Sequence, residues 1–280
     1  MRKSLVAGQF YESEFDKLEK QIKNCFSHKQ GPGALPLKTR KGNILGIIAP
    51  HAGYVYSGPC AAWAYKKLAE SKFTETFIIL GPSHMGSTDI LISTEDFETP
   101  FGIVKTDKEI CKELLKNKFI KEDNDIHRLE HSIEVQLPFL QYVNKEHLQK
   151  IKIVPILIGY YDKMLAEAIT SLDKEFTVIA SSDFTHYGKD YNYTPFVFNR
   201  KENMYALDSK IIEQIKKLDT EEFLKFTKNK TVCGRLPIAV IMDLAKWYKA
   251  KPKLMHYCTS GDISNDYDSS VGYASISFQQ

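Results

Sequence analysis

The chain has 280 residues, of which 43% are hydrophobic and 26% are charged, so it carries enough apolar side chains to bury a core of its own. Its 38 Lys and Arg residues against 35 Asp and Glu residues give a formal net charge of +3, which is too balanced to predict binding to nucleic acid or to an anionic membrane. No long apolar segment follows Met1-Arg2-Lys3 and no stretch is long enough to span a bilayer, so we expect a cytoplasmic protein.

The first half of the chain alternates amphipathic helical patterns with short apolar runs. Apolar residues three and four positions apart are typical of helices, and apolar runs rich in β-branched residues are typical of buried strands. Ser57 is expected to cap a helix that extends through Leu68, with Pro59 in its first turn. The predicted helices are 13–26, 57–68 and 107–116, and the predicted strands are 44–49, 77–80, 90–92 and 102–104.

The second half continues the alternation and ends in two strands. A helical pattern that begins near Ile133 contains Pro138, which should kink or shorten the helix. Pro155 interrupts the apolar run 151–158, and because proline cannot donate a ladder hydrogen bond, this strand is predicted at a sheet edge or bulge. The remaining predicted helices are 164–172, 202–218, 220–227 and 237–247, and the remaining strands are 177–180, 253–259 and 271–278. Strands that alternate with helices throughout predict one α/β domain.

Two predicted strands end in the same way, with a proline followed closely by a histidine. The runs Ile47-Ile48-Ala49-Pro50-His51 and Ile78-Ile79-Leu80-Gly81-Pro82-Ser83-His84 each release an imidazole at a carboxyl end, where ligands bind in open α/β sheets. One such histidine alone is more often structural or merely exposed, but the duplication favours a shared site. Since neutral imidazole is the commonest protein ligand for iron, copper and zinc, we expect His51 and His84 to converge on a metal ion.

Cys233 is the one cysteine of five with a candidate role. The five form no Cys-x-x-Cys pair, which argues against a disulfide scaffold or a structural zinc knuckle. Cys233 precedes a helix predicted to start at Pro237, and both that helix end and Arg235 would favour the thiolate. This pattern fits a metal ligand or a reactive thiol, and it fits a buried small residue equally well.

Asp183 and His186 occupy a third polar loop at a strand end. A carboxylate that orients an imidazole would prepare His186 as a general acid or base, or as an outer partner of the metal, whereas a capped turn explains the same residues equally well. Farther upstream, Glu130 and Glu134 would share one helical face if a helix began that early. His127 and His131 have zinc-protease spacing but lack the glutamate beside the first histidine, so that class is not indicated.

Five motifs in order resemble the Memo family, whose prokaryotic members are also called AmmeMemoRadiSam system protein B. The likeness runs from Ala7 to Ala274, nearly the whole chain. The motifs are Ala49-Pro50-His51-Ala52-Gly53-Tyr54, Leu80-Gly81-Pro82-Ser83-His84, Glu130-His131-Ser132-Ile133-Glu134, Ser181-Ser182-Asp183-Phe184-Thr185-His186-Tyr187-Gly188 and Cys233-Gly234-Arg235-Leu236-Pro237-Ile238.

The resemblance implies a single Memo-like α/β domain over residues 1–280, with a central mixed, largely parallel β-sheet flanked by helices, similar to class III extradiol dioxygenases. It implies that His51, His84 and Cys233 bind the metal, and that His186, with Asp183 beside it, matches the dioxygenase acid/base. His131 belongs to a family motif without an assigned role. Those dioxygenases use non-haem iron held by two histidines and a carboxylate, and copper- or iron-dependent redox activity is attributed to the animal Memo protein.

Our leading hypothesis is a metal-dependent oxidoreductase that uses iron or copper, with zinc also compatible, on an unidentified small-molecule substrate. Cys233 stands where a dioxygenase supplies a carboxylate, and because a thiolate is softer and easily oxidised, ring cleavage is not the expected reaction. One alternative is a non-catalytic binding or accessory protein that keeps the pocket for a peptide or a radical-SAM partner. Another is a hydrolase that uses zinc-bound water. No nucleic-acid partner and no membrane span are expected.

Overall fold

The computed structural model describes all residues from Met1 to Gln280, as eleven strands and ten helices. The strands are β1 (Ile44–Ala49), β2 (Thr76–Pro82), β3 (Ile90–Ile92), β4 (Phe97–Thr99), β5 (Gly102–Thr106), β6 (Ile120–Glu122), β7 (Lys152–Ile158), β8 (Phe176–Ser181), β9 (His186–Tyr187), β10 (Lys251–Thr259) and β11 (Ser270–Gln279). The helices are α1 (Phe15–Ser27), α2 (Tyr54–Ala69), α3 (Lys108–Leu114), α4 (Asn124–Leu129), α5 (Gln136–Val143), α6 (Lys163–Thr170), α7 (Arg200–Lys217), α8 (Thr220–Thr227), α9 (Arg235–Trp247) and α10 (Gly261–Ser264). Two short 3₁₀ turns cover Lys145–Lys150 and Lys189–Tyr191.

All eleven strands join one mixed sheet with the order β10-β11-β1-β8-β2-β7-β3-β6 along its main path. The four central strands β1, β8, β2 and β7 run parallel. They are flanked by β11 and β3, which run antiparallel to them. The predicted α/β domain with a mixed, largely parallel sheet between helices is therefore confirmed.

The central strands are buried on both faces, which is why they read as continuous apolar runs. Ile47 and Ile48 of β1 are both fully buried, yet they belong to two different hydrophobic clusters, one on each side of the sheet. Full burial of such a side chain contributes roughly 2 kcal/mol relative to exposure. The helices α1, α2 and α5 cover one face, and α6, α7, α8 and α9 cover the other. No helix of the chain is both long enough and apolar enough to cross a lipid bilayer.

The helix after β1 starts three residues earlier than predicted, at Tyr54 with Gly53 as its cap residue. Ser57 is not the cap: its hydroxyl donates to the Ala52 carbonyl oxygen at 2.7 Å. The Tyr54 backbone N–H donates to the Phe10 carbonyl oxygen at 2.7 Å, so the N-terminal segment supplies an acceptor for the first turn. With this long-range hydrogen bond the helix begins only three residues after His51.

The helix expected near Ile133 is shorter than predicted, because α5 begins only at Gln136. Pro138 lies at its third position, where the helix needs no backbone donor, so the proline marks the start and produces no kink. Glu130 is in an extended conformation (φ −104°, ψ 132°). No helix begins early enough for Glu130 and Glu134 to share one helical face.

The strand that contains Pro155 was predicted at an edge or bulge, and it lies near the centre of the sheet. On one side β7 pairs with β2 along its whole length. On the other side it pairs with β5 at residues 152–153 and with β3 at residues 156–158. Pro155 falls where one neighbour replaces the other, and its carbonyl oxygen accepts a bond from Ser93 just beyond β3. The backbone N–H that Pro155 lacks would therefore point into the gap between β5 and β3, where no strand needs it.

The remaining predicted elements agree with the structure to within about two residues at each end. Five short elements were not predicted, namely β4, β6, β9, α4 and α10. Each has six residues or fewer, too short for a hydrophobic period to be recognised.

Candidate metal centre

Three neighbouring parallel strands deliver three polar side chains to one edge of the sheet. His51 follows the end of β1, His84 follows β2, and Asp183 follows β8, which lies between the other two strands. The ring centroids of His51 and His84 are 5.3 Å apart and their planes are nearly perpendicular. The structure therefore brings the two strand-end histidines together at this edge of the sheet.

Cys233 reaches the same place from the turn before α9. Its Sγ lies 3.2 Å from Nε2 of His51. The turn can approach because Gly234 has no side chain: a Cβ at this position would lie 2.3 Å from Cβ of Ser182. The Gly234 N–H donates to the Ser182 hydroxyl at 3.1 Å, which fixes the turn against the end of β8.

Two groups of donor atoms share His51. One contains His51, His84 and His131, and the other contains His51, Asp183 and Cys233; within each group the donor atoms lie within 4.8 Å of one another. We call these five residues the candidate metal site. No sequence signal marked His131 as a donor, because it follows a short helix and not a strand.

The hydrogen bonds around His51 fix which of its nitrogens carries the proton. Nδ1 lies 2.8 Å from the Ser181 hydroxyl, whose own proton is donated to the Ser132 carbonyl oxygen at 2.7 Å. The Gln136 amide donates to the same hydroxyl at 2.8 Å. Nδ1 must therefore be the donor to Ser181. The lone pair of Nε2 is left directed toward Cys233, in the position of a metal ligand.

Glu130 fixes His84 in the same way. Its buried carboxylate lies 2.9 Å from Nδ1 of His84, and it also accepts the backbone N–H of His84 at 2.6 Å and that of Ser132 at 2.9 Å. Burial alone would raise the pKa of Glu130, but His84 and the backbone bond lower this pKa to about 2. An ionised carboxylate must accept the Nδ1 proton, so Nε2 of His84 is free to face the candidate metal site.

His186 also presents Nε2. Its Nδ1 lies 2.9 Å from the Thr231 carbonyl oxygen and 3.0 Å from that of Phe184, and since both are acceptors, Nδ1 carries the proton. One of the two interpretations of this loop had Asp183 orient this ring, and the structure shows no hydrogen bond between them. Asp183 instead accepts the backbone N–H of His51 at 2.8 Å, because backbone carbonyls already occupy the Nδ1 position of His186.

Burial favours the protonated forms of Asp183 and Cys233. It raises the pKa of Asp183, and together with the nearby Asp183 carboxylate it raises the pKa of the Cys233 thiol far above its usual value. The expectation that the following helix and Arg235 would favour the thiolate is therefore wrong, even though α9 begins directly at Arg235. A metal ion reverses this preference, because a coordinating thiol loses its proton to the metal.

The donor set fits a transition-metal ion. Ligand bonds of about 2.0 Å to imidazole nitrogen and 2.3 Å to sulfur place two ligands of a tetrahedral ion roughly 3.5 Å apart. Nε2 of His51 and Sγ of Cys233 are separated by 3.2 Å, close to that spacing. Imidazole with thiolate suits iron, copper or zinc and not magnesium or calcium.

Comparisons with known proteins cover the whole chain. A family model described as Memo-like protein matches residues 2–277. A MEMO1 family protein of Methanopyrus kandleri is 40% identical over 100% of this chain and 99% of its own length. Homologues of the same description in Sulfurisphaera tokodaii and Nitrosopumilus maritimus are 41% and 40% identical, each over 99% of both chains. The matched region contains every residue of the candidate metal site.

Proposed function

The chain belongs to the Memo family, and from that premise we propose that it is a metal-dependent redox protein in which His51, His84 and Cys233 hold one iron or copper ion. Zinc would fit the same donors. The substrate is a small molecule that reaches the carboxyl edge of the sheet. The likeness to class III extradiol dioxygenases that the family resemblance implies favours this class of chemistry.

One observation carries the proposal: the lone pair of His51 Nε2 is directed at the Cys233 sulfur, 3.2 Å away. Serine, glutamine and a backbone carbonyl together hold His51 in the tautomer that a metal needs. A structural histidine such as His127 turns its free nitrogen to a protein carbonyl oxygen, whereas Nε2 of His51 faces a thiol. The same arrangement recurs at His84, where Glu130 takes the Nδ1 proton.

A bound iron or copper ion would supply one-electron chemistry that the side chains of this chain lack. His186 would take a proton from the substrate, or return one, at Nε2, since its Nδ1 proton is held by two carbonyls. Asp183 would be held in place by the hydrogen bond that it accepts from the backbone N–H of His51. The Tyr191 ring, 5.1 Å from His186 in an edge arrangement, would form one wall beside the reacting group.

The test is metal analysis by mass spectrometry on untagged protein purified without oxygen. We expect near-stoichiometric iron or copper in the parent and large losses in Cys233→Ser, His51→Ala and His84→Ala. Cys111→Ser is the matched control, because Cys111 is buried elsewhere and its thiol donates only to the Ser93 carbonyl oxygen. Unchanged metal content in the His51 and His84 variants would exclude this site.

Absence of metal from the parent even after reconstitution would favour a binding or accessory role. A stable complex with a radical-SAM partner that survives Cys233→Ser would support that alternative. Zinc alone, with turnover in the strict absence of oxygen, would instead indicate a hydrolase.

A further inference from the structure

His131 lies beside the two strand-end histidines, although the proposed ligand set does not use it. Its ring centroid is 4.7 Å from that of His84 and 5.6 Å from that of His51. One ring nitrogen from each of the three residues lies within 4.8 Å of the other two. Three imidazole nitrogens at this spacing can reach one ion with small changes of side-chain torsion.

One carboxylate faces both His84 and His131. Oε1 of Glu130 lies 2.9 Å from Nδ1 of His84 and 3.5 Å from Nδ1 of His131. The two rings are stacked with only 21° between their planes. Since both rings turn Nδ1 to the same oxygen, both direct Nε2 away from the carboxylate and next to one another. The His51 ring stands nearly perpendicular to both, at 83° and 85°.

Packing alone does not explain this orientation of His131. Its side chain is 23% exposed, and its ring nitrogens form no hydrogen bond within the chain beyond the 3.5 Å contact of Nδ1 with Glu130. The Phe10 ring meets it edge-on at 5.0 Å and holds it against the cluster. The Glu130 oxygen on one side and the Phe10 ring on another therefore keep the His131 ring beside the two other imidazoles.

We propose that His131 is a third imidazole ligand of the ion held by His51 and His84, and that Glu130 orients the His84 and His131 rings together. This inference rests on the proposed function, because it concerns the same ion. The ligand is a divalent ion of intermediate softness, such as iron, cobalt, copper or zinc. Cys233 then adds a thiolate to a three-imidazole face, so loss of the thiolate weakens binding without abolishing it.

The test uses full-length untagged protein stripped of metal with a chelator and titrated with Cu²⁺ against a competing chelator. We expect His131→Ala and His131→Gln to weaken Cu²⁺ binding by about 10-fold or more, and Glu130→Gln by about 10-fold. Paramagnetic resonance of the bound Cu²⁺ should show one fewer nitrogen in the His131 variants, but an unchanged number in Glu130→Gln. His147→Gln is the matched control, since His147 packs on Phe73 outside the site.

Two further comparisons separate this inference from the proposed function. Cys233→Ser should keep weak Cu²⁺ binding at high metal concentration, and Cys233→Ser combined with His131→Ala should lose it. Parent-like affinity and nitrogen count in both His131 variants, with thermal unfolding showing that they fold, would overturn the role of His131 and leave the redox proposal standing. Complete loss of binding in Cys233→Ser alone would also overturn the three-imidazole face, whereas no binding by the parent would overturn both proposals.

Discussion

Arg2 and Glu134 form a salt bridge of 2.7 Å in which neither side chain has any exposed surface. The same guanidinium donates to the carbonyl oxygens of His127 and Glu130, each at 2.7 Å. The second residue of the chain therefore holds both ends of the segment that carries His131. The desolvation of two charges offsets much of their attraction, so a buried ion pair of this kind adds little net stability. Its main effect is to fix the relative positions of the two segments that it joins.

We predict that Glu134→Gln lowers the free energy of unfolding by roughly 3 to 5 kcal/mol, because it leaves the Arg2 charge buried without a partner. The lost carboxylate also accepts the Tyr11 hydroxyl at 2.6 Å and the backbone N–H groups of Leu5 and Val6. Urea denaturation followed by circular dichroism gives this free energy.

The control for Glu134→Gln makes the same chemical change in an exposed pair. Glu98 binds Lys3, whose side chain is 71% exposed, and such pairs contribute little because water screens them. Glu98→Gln should therefore change the free energy of unfolding by no more than about 1 kcal/mol. Equal losses in the two variants would show that the buried pair with Arg2 is not specially important.

His127 should make the protein less stable as the pH falls. Burial lowers the pKa of His127 from 6.5 to about 4, although the bond from its Nε2 to the Leu91 carbonyl oxygen opposes this shift. The unfolded chain takes up the proton near pH 6.5 and the folded chain only near pH 4. The contribution is therefore complete above pH 6.5 and is lost toward pH 4, by about 3 kcal/mol in all.

The measurement is urea denaturation of the parent and of His127→Gln at several values of pH across that window. Other titrating groups act on both proteins, so the difference between the two curves isolates His127. We expect the parent to lose stability more steeply than the variant as the pH falls. Parallel curves would mean that His127 takes up its proton equally in the folded and unfolded chains.

The parts of the site that follow strands were predictable from the sequence. A buried parallel strand has a distinctive composition, and the residue after its carboxyl end lies at the ligand-binding edge by the rules of α/β folds. His51, His84 and Asp183 were located in this way. Cys233 was found through its own chemistry and through the family motif, since a turn before a helix has no such positional rule.

The hydrogen bonds that set the roles of these residues were not predictable. Asp183 is three residues from His186 in sequence, but Thr231 from a distant turn takes the Nδ1 proton of His186. Glu130 adopts an extended conformation and faces His84, and Arg2 determines where its loop lies. Such contacts join positions far apart in the chain, and hydrophobic periodicity carries no information about them.

Ser181→Ala should weaken metal binding while the fold is kept. The serine hydroxyl accepts the Nδ1 proton of His51, and without it this ring can adopt the wrong tautomer. Loss of such a partner lowers metal affinity by about 10- to 100-fold. The control is Ser275→Ala, another buried serine of the sheet, which donates to the Cys60 carbonyl oxygen. Chelator competition measures both affinities, and parent-like binding by Ser181→Ala would show that Ser181 does not set the tautomer.

Gly234→Ala tests how closely the Cys233 turn must approach β8. The added methyl group would lie 2.3 Å from Cβ of Ser182 and 2.5 Å from the Ser181 carbonyl oxygen, so the turn must move outward and carry the thiol with it. Overpacking of this kind costs about 1 to 3 kcal/mol of stability, and we expect metal affinity to fall as well, because Sγ no longer reaches the ion at its preferred distance.

The matched control for Gly234→Ala is Gly53→Ala, on the other side of His51. A Cβ at Gly53 meets its nearest neighbour, the Phe10 carbonyl oxygen, at an ordinary 3.6 Å, and the backbone there already suits an L-residue (φ −55°). Chelator competition and urea denaturation on both variants should show a loss of affinity and stability for Gly234→Ala alone. If Gly234→Ala binds metal like the parent, the turn can move without displacing the Cys233 sulfur. The close packing of the turn against β8 would then not be what places Cys233 as a ligand.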